Sequence, residues 1–318
     1  MLIERKIDMC THPYTAFNTH IKTENGKEEW FLSREHSFFI PAWQVMKKYK
    51  VPYASDLTEF VEVPCGRCYE CRKEKARRWA FRCLVESWDH DSNLFVTLTY
   101  GPALFLPKDK KAWKKDLQRF FYRLRSAGFK FRYFAAGELG EKFKRPHFHV
   151  LFFGLKLDDL KPWSGSGVTQ LYRSAKLEKY WPYGFALVGQ ALPGSVGNYI
   201  AKYTVKGDPK EGFLVMSRKP GIGFNGIQKM LDEKGPKQQL VVGDGKGHVM
   251  KSVLPRSFRE KVGLEADPAF VELAWTKLCS QMRKAGYSES DCYDFGKIEE
   301  FRESLELSDK KKEVFFKL

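Results

Sequence analysis

The sequence predicts an α+β fold, and three observations predict it. Residues 94–100, LFVTLTY, are rich in β-branched and aromatic side chains, which indicates a strand. Residues 108–126 carry apolar side chains at helical spacing with Lys or Arg on the remaining positions, which indicates an amphipathic helix. Two further strand patterns, FKFRYFAAGE and PHFHVLFFG, flank a short polar turn, so residues 129–154 are expected to form a hairpin.

The order of these elements predicts a particular core. A strand, a helix and a hairpin in succession form the first half of a ferredoxin-like βαββαβ unit with a central antiparallel sheet. For the second half we expect the loop PWSGSG to lead into a helix within residues 158–180. A fourth strand in YGFALVGQAL and a short helix over residues 195–206 complete the unit, so the core is assigned to residues 91–210.

Three further regions surround this core. Residues 1–64 have no sustained period and are expected to be an irregular lead-in with room for one short hairpin. Residues 65–90 contain a cysteine cluster followed by a helical pattern. Residues 211–318 are a basic C-terminal region of unassigned role, with a helix expected around residues 268–284 and a charged tail.

The composition indicates a basic globular protein. Hydrophobic residues make up 43% of the 318 residues, and 55 Lys and Arg against 39 Asp and Glu give a net charge of +16. Such an excess favours nucleic acid as a partner, and a solubilising basic surface is the alternative. No run of 18 apolar residues occurs and MLIERKIDMC lacks the apolar core of a secretory signal, so we expect a soluble intracellular protein without a membrane partner.

Two histidines open the third predicted strand. Side chains two residues apart on a strand share a face, so His147 and His149 point together while Phe148 points away. If the hairpin pairs as expected, Glu138 lies across from the histidines and adds a carboxylate oxygen, a ligand suited to Mg²⁺ or Mn²⁺. The alternative is that both histidines are partly exposed strand residues that bind no metal.

A tyrosine pair follows about fifty residues later. Tyr199 and Tyr203 lie roughly 40° apart on one face of the predicted helix, with Lys202 and Lys206 beside them. A phenol is a poor nucleophile unless it loses its proton or attacks an activated electrophile such as a metal-bound phosphate. Lysines beside it favour the phenolate and attract phosphates. Together with the histidines, the pair indicates cleavage of a DNA strand through a phosphotyrosine intermediate, and core packing of the tyrosines is the alternative.

The cysteines indicate a second metal site. Cys65, Cys68 and Cys71 have C-x-x-C-x-x-C spacing, which is compatible with a structural Zn²⁺ site or, as the alternative, an iron–sulfur cluster. Either Cys83 or Cys10 is expected to supply the fourth ligand. Cys83 also lies on the apolar face of its predicted helix, where it would be a buried small hydrophobic residue.

Basic and aromatic side chains near these motifs are candidate DNA contacts. Phosphate contacts are expected from Arg72, Lys73, Arg77, Lys114 and Arg145. Trp163, Trp181 and Tyr183 are expected either to stack on unpaired bases or to pack in the core.

Six segments taken in order resemble a known family: PCGRCYEC, ARRWAFRC, LFVTLTY, GELGEKFKRPHFHVLFFG, YIAKYTVK and MSRKPGIG. Over roughly residues 63–222 the chain is similar to the HUH-type rolling-circle replication initiation proteins of gokushovirus-like microviruses. The resemblance implies that His147 and His149 bind Mg²⁺ or Mn²⁺ with help from Glu138. Phe148 stands at the central position of the family's motif, and no third motif histidine is present.

The resemblance also implies an activity. One tyrosine of the pair would nick single-stranded viral DNA at the origin, keep the 5′ end and free a 3′-OH for synthesis, and the second would later release a circle. Host replicative helicase and DNA polymerase are the implied partners, and the host bacterial cytoplasm is the implied location. A noncatalytic nucleic-acid-binding protein and a metal-dependent phosphodiesterase without a covalent step are the alternatives.

Overall fold

A computed structural model gives the fold of the residues that it describes. These are residues 10–11, 13–26, 28–33, 60–102, 109–140, 144–191, 212–235, 239–243, 249–264, 276 and 278–315. The chain divides into two units, one formed by residues 1–75 and 266–318 and the other by residues 76–265. Each unit has an apolar core of its own.

The N-terminal segment forms a three-stranded antiparallel sheet within the described residues. Its strands, in the order β2-β1-β3, are β1 (Tyr14–Lys22), β2 (Glu28–Ser33) and β3 (Phe60–Val63). Tyr14 lies opposite Val63, so β1 begins at the edge where β3 ends. We expected one short hairpin at most in this region; β3 adds a further strand, whose four residues are too few for a period to be recognised in the sequence.

Helix α1 (Tyr69–Ser87) follows this sheet and runs from the first unit into the second. The predicted apolar face is confirmed for the second unit, where Ala76, Ala80, Cys83 and Leu84 are buried.

The second unit is built on a seven-stranded sheet, and every strand pair described in it is antiparallel. The strands are β4 (Asn93–Tyr100), β5 (Arg132–Leu139), β6 (Pro146–Phe153), β7 (Lys161–Ser164), β8 (Leu171–Arg173), β9 (Gly184–Gln190) and β10 (Phe213–Met216). They lie in the order β10-β5-β6-β4-β9-β8-β7. The central order β5-β6-β4-β9 is that of a ferredoxin-like unit, which confirms the predicted fold class.

Helix α2 (Lys110–Ser126) covers one face of this sheet. The carboxylate of Asp109 caps the helix by accepting a hydrogen bond of 2.8 Å from the Ala112 amide. The apolar side chains of the interface are buried: Trp113, Leu117, Phe120, Phe121 and Leu124 from the helix, and Leu98, Phe148, Val150 and Phe152 from the sheet. Each such large side chain contributes about 1.5–3 kcal/mol of burial free energy, so this interface is a principal source of stability.

The second half of the predicted unit differs in detail. A loop and a helix were expected within residues 158–180, but the structure forms β7, β8 and only then a short helix, α3 (Ala175–Tyr180). The helix begins late because Ser174 caps it, its hydroxyl accepting from the Leu177 amide at 3.0 Å. Strand β10 lies just past residue 210 and extends the sheet beside β5. The helix predicted over residues 195–206 lies outside the described residues.

A second apolar cluster lies on another side of α1. It includes α4 (Phe224–Lys234), the hairpin of β11 (Gln239–Gly243) and β12 (Val249–Val253), and α5 (Arg256–Lys261).

A buried carboxylate joins α1 to the sheet. Glu86 accepts hydrogen bonds from the Arg132 guanidinium on β5 and from the Gly223 amide at 2.6 Å, and its oxygen lies 3.3 Å from Nε2 of His90. Position 223 requires glycine, because φ is +73° and a Cβ atom would lie 2.6 Å from the Arg82 carbonyl oxygen.

The C-terminal part of the first unit is helical. Residues 278–284 lie within the helix predicted around 268–284, and the expected charged tail forms instead α6 (Phe295–Phe315). These elements share an apolar cluster of Leu278, Cys279, Met282, Cys292, Ile298 and Phe301. None of the described helices is both long and apolar enough to span a membrane.

Candidate functional site

The pairing of β5 with β6 brings the predicted metal ligands together. Glu138 lies directly opposite His147, and Ala136 lies opposite His149. Because opposite residues point to the same side of a sheet, and residues two apart on a strand do so too, Glu138, His147 and His149 share one face.

The three side chains converge on a small volume. Oε1 of Glu138 lies 2.9 Å from Nε2 of His147 and 3.3 Å from Nε2 of His149. Ligand atoms of all three lie within 4.8 Å of one another, and the two imidazole rings stand nearly perpendicular at 89°. We call Glu138, His147 and His149 the triad.

Outer partners hold the two imidazoles in place. The Nδ1 atom of His147 lies 3.3 Å from the Arg145 carbonyl oxygen, and Nδ1 of His149 lies 3.4 Å from Oγ1 of Thr97. Partners at Nδ1 leave Nε2 of each ring as the atom presented to a ligand. Thr97 was missed in the sequence, although the alternation of LFVTLTY places it on the face opposite the apolar residues.

The sheet face that carries the triad is covered at one end only. Farther along β6, Leu151 and Phe153 are buried on this face in a cluster that includes Cys83 of α1. Toward the other end, the exposed fraction of the side chain rises from 9% at His149 to 21% at His147. The triad therefore has an apolar wall behind it and access from one side.

The electrostatics of the triad favour an ionised carboxylate. Burial alone raises the pKa of Glu138, but hydrogen bonds with His147 and His149 outweigh it and lower that pKa to about 2. Burial lowers the pKa of His147, yet the hydrogen bond to Glu138 raises it above its ordinary value overall. At neutral pH the site therefore carries a negative charge between two imidazoles.

This donor set fits a divalent cation. Ligands about 2.1 Å from an ion in octahedral geometry lie roughly 3 Å from their neighbours. The distances of 2.9 and 3.3 Å from the Glu138 oxygen to the two imidazole nitrogens match that spacing. Two nitrogen donors and one carboxylate oxygen suit Mn²⁺ and, with more water ligands, Mg²⁺.

Exposed aromatic side chains lie on the same face as the triad. Thr99 pairs with His147 on one side and with Phe185 on the other, so Phe185 points to the triad face. The Arg173 guanidinium lies 6.0 Å from the Phe185 ring and 4.8 Å from the Trp163 ring. Trp163 and Phe185 are 60% and 48% exposed. We call Trp163, Arg173 and Phe185 the aromatic platform.

Two other aromatic candidates belong to the core. Trp181 is fully buried and its indole N–H donates to the Thr99 carbonyl oxygen at 3.1 Å. Tyr183 packs against it, with the ring centroids 4.9 Å apart. Core packing is therefore the correct one of the two interpretations for Trp181, and base stacking there was wrong.

The predicted phosphate contacts are scattered. Arg145 comes two residues before His147, and its side chain donates to the Gly101 carbonyl oxygen. Lys114 lies on α2 with its ammonium 5.8 Å from the Phe213 ring. The other three lie on α1: Arg72 and Arg77 are partly buried, and Lys73 is 3.6 Å from Glu70.

The cysteine cluster also converges, with Cys10 as its fourth member. The Sγ atoms of Cys10, Cys65, Cys68 and Cys71 all lie within 4.8 Å of one another. Hydrogen bonds from the Cys10 and Cys71 thiols lower the pKa of Cys68, and the contact with Cys68 raises the pKa of Cys10. The other candidate for fourth ligand, Cys83, is instead fully buried in an apolar cluster.

The predicted nucleophile helix lies outside the described residues. Tyr199, Tyr203, Lys202 and Lys206 therefore have no described position relative to the triad.

The fold and the triad define a class of protein: an α+β protein with a candidate divalent-metal site on an antiparallel sheet. Residues 93–208 match the sequence model of a family described as the replication-associated protein ORF2 and gene 2 protein family. The matched segment contains the triad and both tyrosines of the predicted pair.

Curated relatives come from phages. The chain is 28% identical over 227 residues to the replication-associated protein ORF2 of Spiroplasma virus 4, covering 65% of this chain and 70% of the relative. It is 30% identical over 215 residues to the replication-associated protein VP4 of Bdellovibrio phage phiMH2K, covering 62% and 66%.

A third relative, the replication-associated protein ORF4 of Chlamydia phage 1, is 28% identical over 195 residues, covering 58% of this chain and 45% of the relative. These matches confirm the resemblance to the replication proteins of microviruses. No solved structure matches the chain.

Proposed function

We propose that this protein is an HUH-type initiator that nicks single-stranded viral DNA at the replication origin through a 5′-phosphotyrosine intermediate. The cleavage frees a 3′-OH for rolling-circle synthesis, and a second transfer rejoins the strand to release circles. The observation that carries the proposal is the convergence of Glu138, His147 and His149 on one open patch of the sheet. The family match over residues 93–208 supports it, because it joins the triad and the tyrosine pair in one segment.

The triad would hold the catalytic ion, Mg²⁺ or Mn²⁺. When bound there, such an ion neutralises charge on the non-bridging oxygens of the scissile phosphate and stabilises the charge that develops at phosphorus. The chain's own contribution is orientation: Thr97 and the Arg145 carbonyl fix the rings, and the apolar wall keeps water from one side.

Tyr199 and Tyr203 are the proposed nucleophiles. The phenolic oxygen of one attacks phosphorus, the bond from phosphorus to the 3′ oxygen breaks, and that oxygen leaves as a 3′-OH after taking up a proton. The 5′ phosphate remains on the tyrosine. Lys202 and Lys206 would favour the phenolate and hold neighbouring phosphates.

The aromatic platform is the proposed contact for unpaired bases. Exposed rings beside a guanidinium suit base stacking, which tolerates any sequence because every base has a π face. Arg72, Lys73, Arg77, Lys114 and Arg145 are the proposed phosphate contacts, and the net charge of +16 supports a polyanionic partner. The proposal also implies the host replicative helicase and DNA polymerase as partners and the host bacterial cytoplasm as the location.

A covalent-adduct assay tests the proposal. The full chain is incubated with a single-stranded oligonucleotide from the viral origin and Mn²⁺, and the products are separated on a denaturing gel. We expect a shifted protein–DNA band that a Tyr199→Phe/Tyr203→Phe double variant lacks. Tyr122→Phe is the matched control, because Tyr122 is 72% exposed on α2 and is expected to leave the adduct intact.

The alternatives give different results in the same assay. Binding without any cleavage would support a noncatalytic nucleic-acid-binding protein. Cleavage without an adduct would support a metal-dependent phosphodiesterase that uses water. An adduct undiminished in the double tyrosine variant would refute the assignment of the nucleophiles.

A further inference from the structure

The four clustered cysteines have the spacing of ligands to a single metal ion. The Sγ atoms of Cys65 and Cys71 are 4.0 Å apart, and those of Cys68 and Cys10 are 3.9 Å apart. A disulfide would require about 2.05 Å, so neither pair is bonded. Thiolates about 2.3 Å from a tetrahedral zinc ion lie roughly 3.8 Å from one another, which matches both distances.

The fold of the first unit assembles this cluster from distant segments. Cys10 precedes β1 and Cys65 follows β3, and these two positions meet because Tyr14 lies opposite Val63 in the sheet. The Cys65 amide donates to Cys10 Sγ at 3.2 Å, which continues the approach of the two segments.

The other two cysteines come from the start of α1. Cys68 immediately precedes the helix and Cys71 lies in its first turn, and the Arg72 amide donates to the Cys68 carbonyl at 3.0 Å. The cluster therefore joins the sheet edge to the start of the helix.

The backbone around Cys65 is arranged to stabilise a thiolate. The amides of Arg67 and Cys68 both donate to Cys65 Sγ, at 3.4 and 3.3 Å. Gly66 makes this tight turn possible, since its φ is +72°. Amide donors aimed at sulfur favour the charged form, which is the form that binds metal.

We infer that Cys10, Cys65, Cys68 and Cys71 bind one zinc ion in a structural, four-thiolate site. Four protein ligands fill the tetrahedral shell and leave no position for a substrate, so the ion would stabilise the fold and take no part in the reaction. A four-iron cluster fits less well, because its thiolates bind different iron atoms and stand farther apart than thiolates on one ion. The inference uses only residues of the first unit and does not depend on the proposed function.

Metal analysis of the full chain, purified without chelators, tests the inference. We expect one zinc ion per chain, and a Cys10→Ala variant should lose it. Cys83→Ala is the matched control: it removes the other candidate fourth ligand and should keep the zinc. A His147→Ala/His149→Ala variant should also keep it, which separates this site from the triad.

Cobalt substitution reports the ligand set directly. Cobalt bound by four thiolates gives intense sulfur-to-metal charge-transfer absorption, and we expect this absorption in the wild type and its loss in Cys10→Ala. Zinc retained in Cys10→Ala, zinc lost in Cys83→Ala alone, iron in place of zinc, or a metal-free folded wild type would overturn the inference.

Differential alkylation keeps the test decisive if Cys10→Ala does not fold. The four cluster cysteines are only partly buried, so burial alone would leave them reactive. In the folded wild type we expect them to be protected from iodoacetamide until a zinc chelator is added. Protection that the chelator does not change would contradict a metal site.

Discussion

Replacement of Glu86 by glutamine tests how the sheet is anchored to α1. The carboxylate is 5% exposed and accepts hydrogen bonds from Arg132, at the start of β5, and from the Gly223 amide. Glutamine has nearly the same shape but lacks the charge, and its amide group would face one of these two donors. The variant therefore leaves a buried donor without an acceptor and Arg132 without its counterion.

The magnitude follows from the burial of the pair. Removing one partner of a buried ion pair costs about 3–5 kcal/mol. The Arg132 side chain is 21% exposed and also donates to the Pro220 carbonyl oxygen at 2.7 Å, so we expect the lower end, about 3 kcal/mol. For a unit of this size that corresponds to a fall in Tm of about 6–12 °C.

Urea and thermal unfolding of both proteins measure the loss. Glu178→Gln is the matched control, since Glu178 pairs with Arg173 at 2.8 Å but both side chains are more exposed, at 24% and 34%. We expect that control to change the free energy of unfolding by less than about 1 kcal/mol. A loss at Glu86→Gln no larger than the loss in the control would refute the anchoring role.

The same pair predicts a pH dependence of stability. Burial raises the pKa of Glu86, but hydrogen bonds with His90, the Gly223 amide and Arg132 lower it below its ordinary value overall. A lowered pKa in the folded state means that the stabilisation is complete above the ordinary glutamate pKa of 4.5 and declines as the pH falls through the folded-state pKa. The stability difference between wild type and Glu86→Gln should therefore shrink in acid, and a difference that grows there would contradict the assignment.

Three further predictions concern the site and its surroundings. Glu138→Gln should weaken Mn²⁺ binding, measured by calorimetry, by more than the roughly 10- to 100-fold that loss of an outer partner costs, because the anionic ligand itself is removed; unchanged affinity would exclude Glu138 as a ligand. Trp163→Ala should weaken binding of single-stranded DNA by about 1–3 kcal/mol, roughly 5- to 150-fold, in fluorescence anisotropy, with Tm unchanged because the ring is 60% exposed. Gly137→Ala should lower the free energy of unfolding by about 1–3 kcal/mol, since its Cβ would lie 2.6 Å from Cζ of Phe213; a neutral effect would mean that this ring moves aside easily.

Local patterns predicted the core and the triad well. The alternation in β6 separates two histidines from Phe148, and a short turn leaves one register for the hairpin, so the position of Glu138 opposite His147 followed from the sequence. The amphipathic pattern of α2 likewise predicted which face of the sheet it covers.

Features that depend on distant pairing could not be predicted. Cys10 meets Cys65 only because β1 pairs with β3, and the 55 residues between the two cysteines contain no pattern that predicts this contact. Phe185 and Arg173 join the triad face through the order β4-β9-β8, which local periodicity does not determine. Cys83 was ambiguous because a cysteine on an apolar helix face suits burial and metal binding equally.

The central position of β6 limits how this protein can change over evolution. The strand lies between β5 and β4, and its side chains alternate between two apolar clusters, to which Phe148 and Phe153 belong, and the metal-binding patch. Every substitution there would affect either folding or chemistry, so adaptation to a new origin sequence would have to come from the exposed strands β7 and β8 at the far edge of the sheet. A viral lineage could thus exchange its DNA preference while keeping its cleavage machinery untouched.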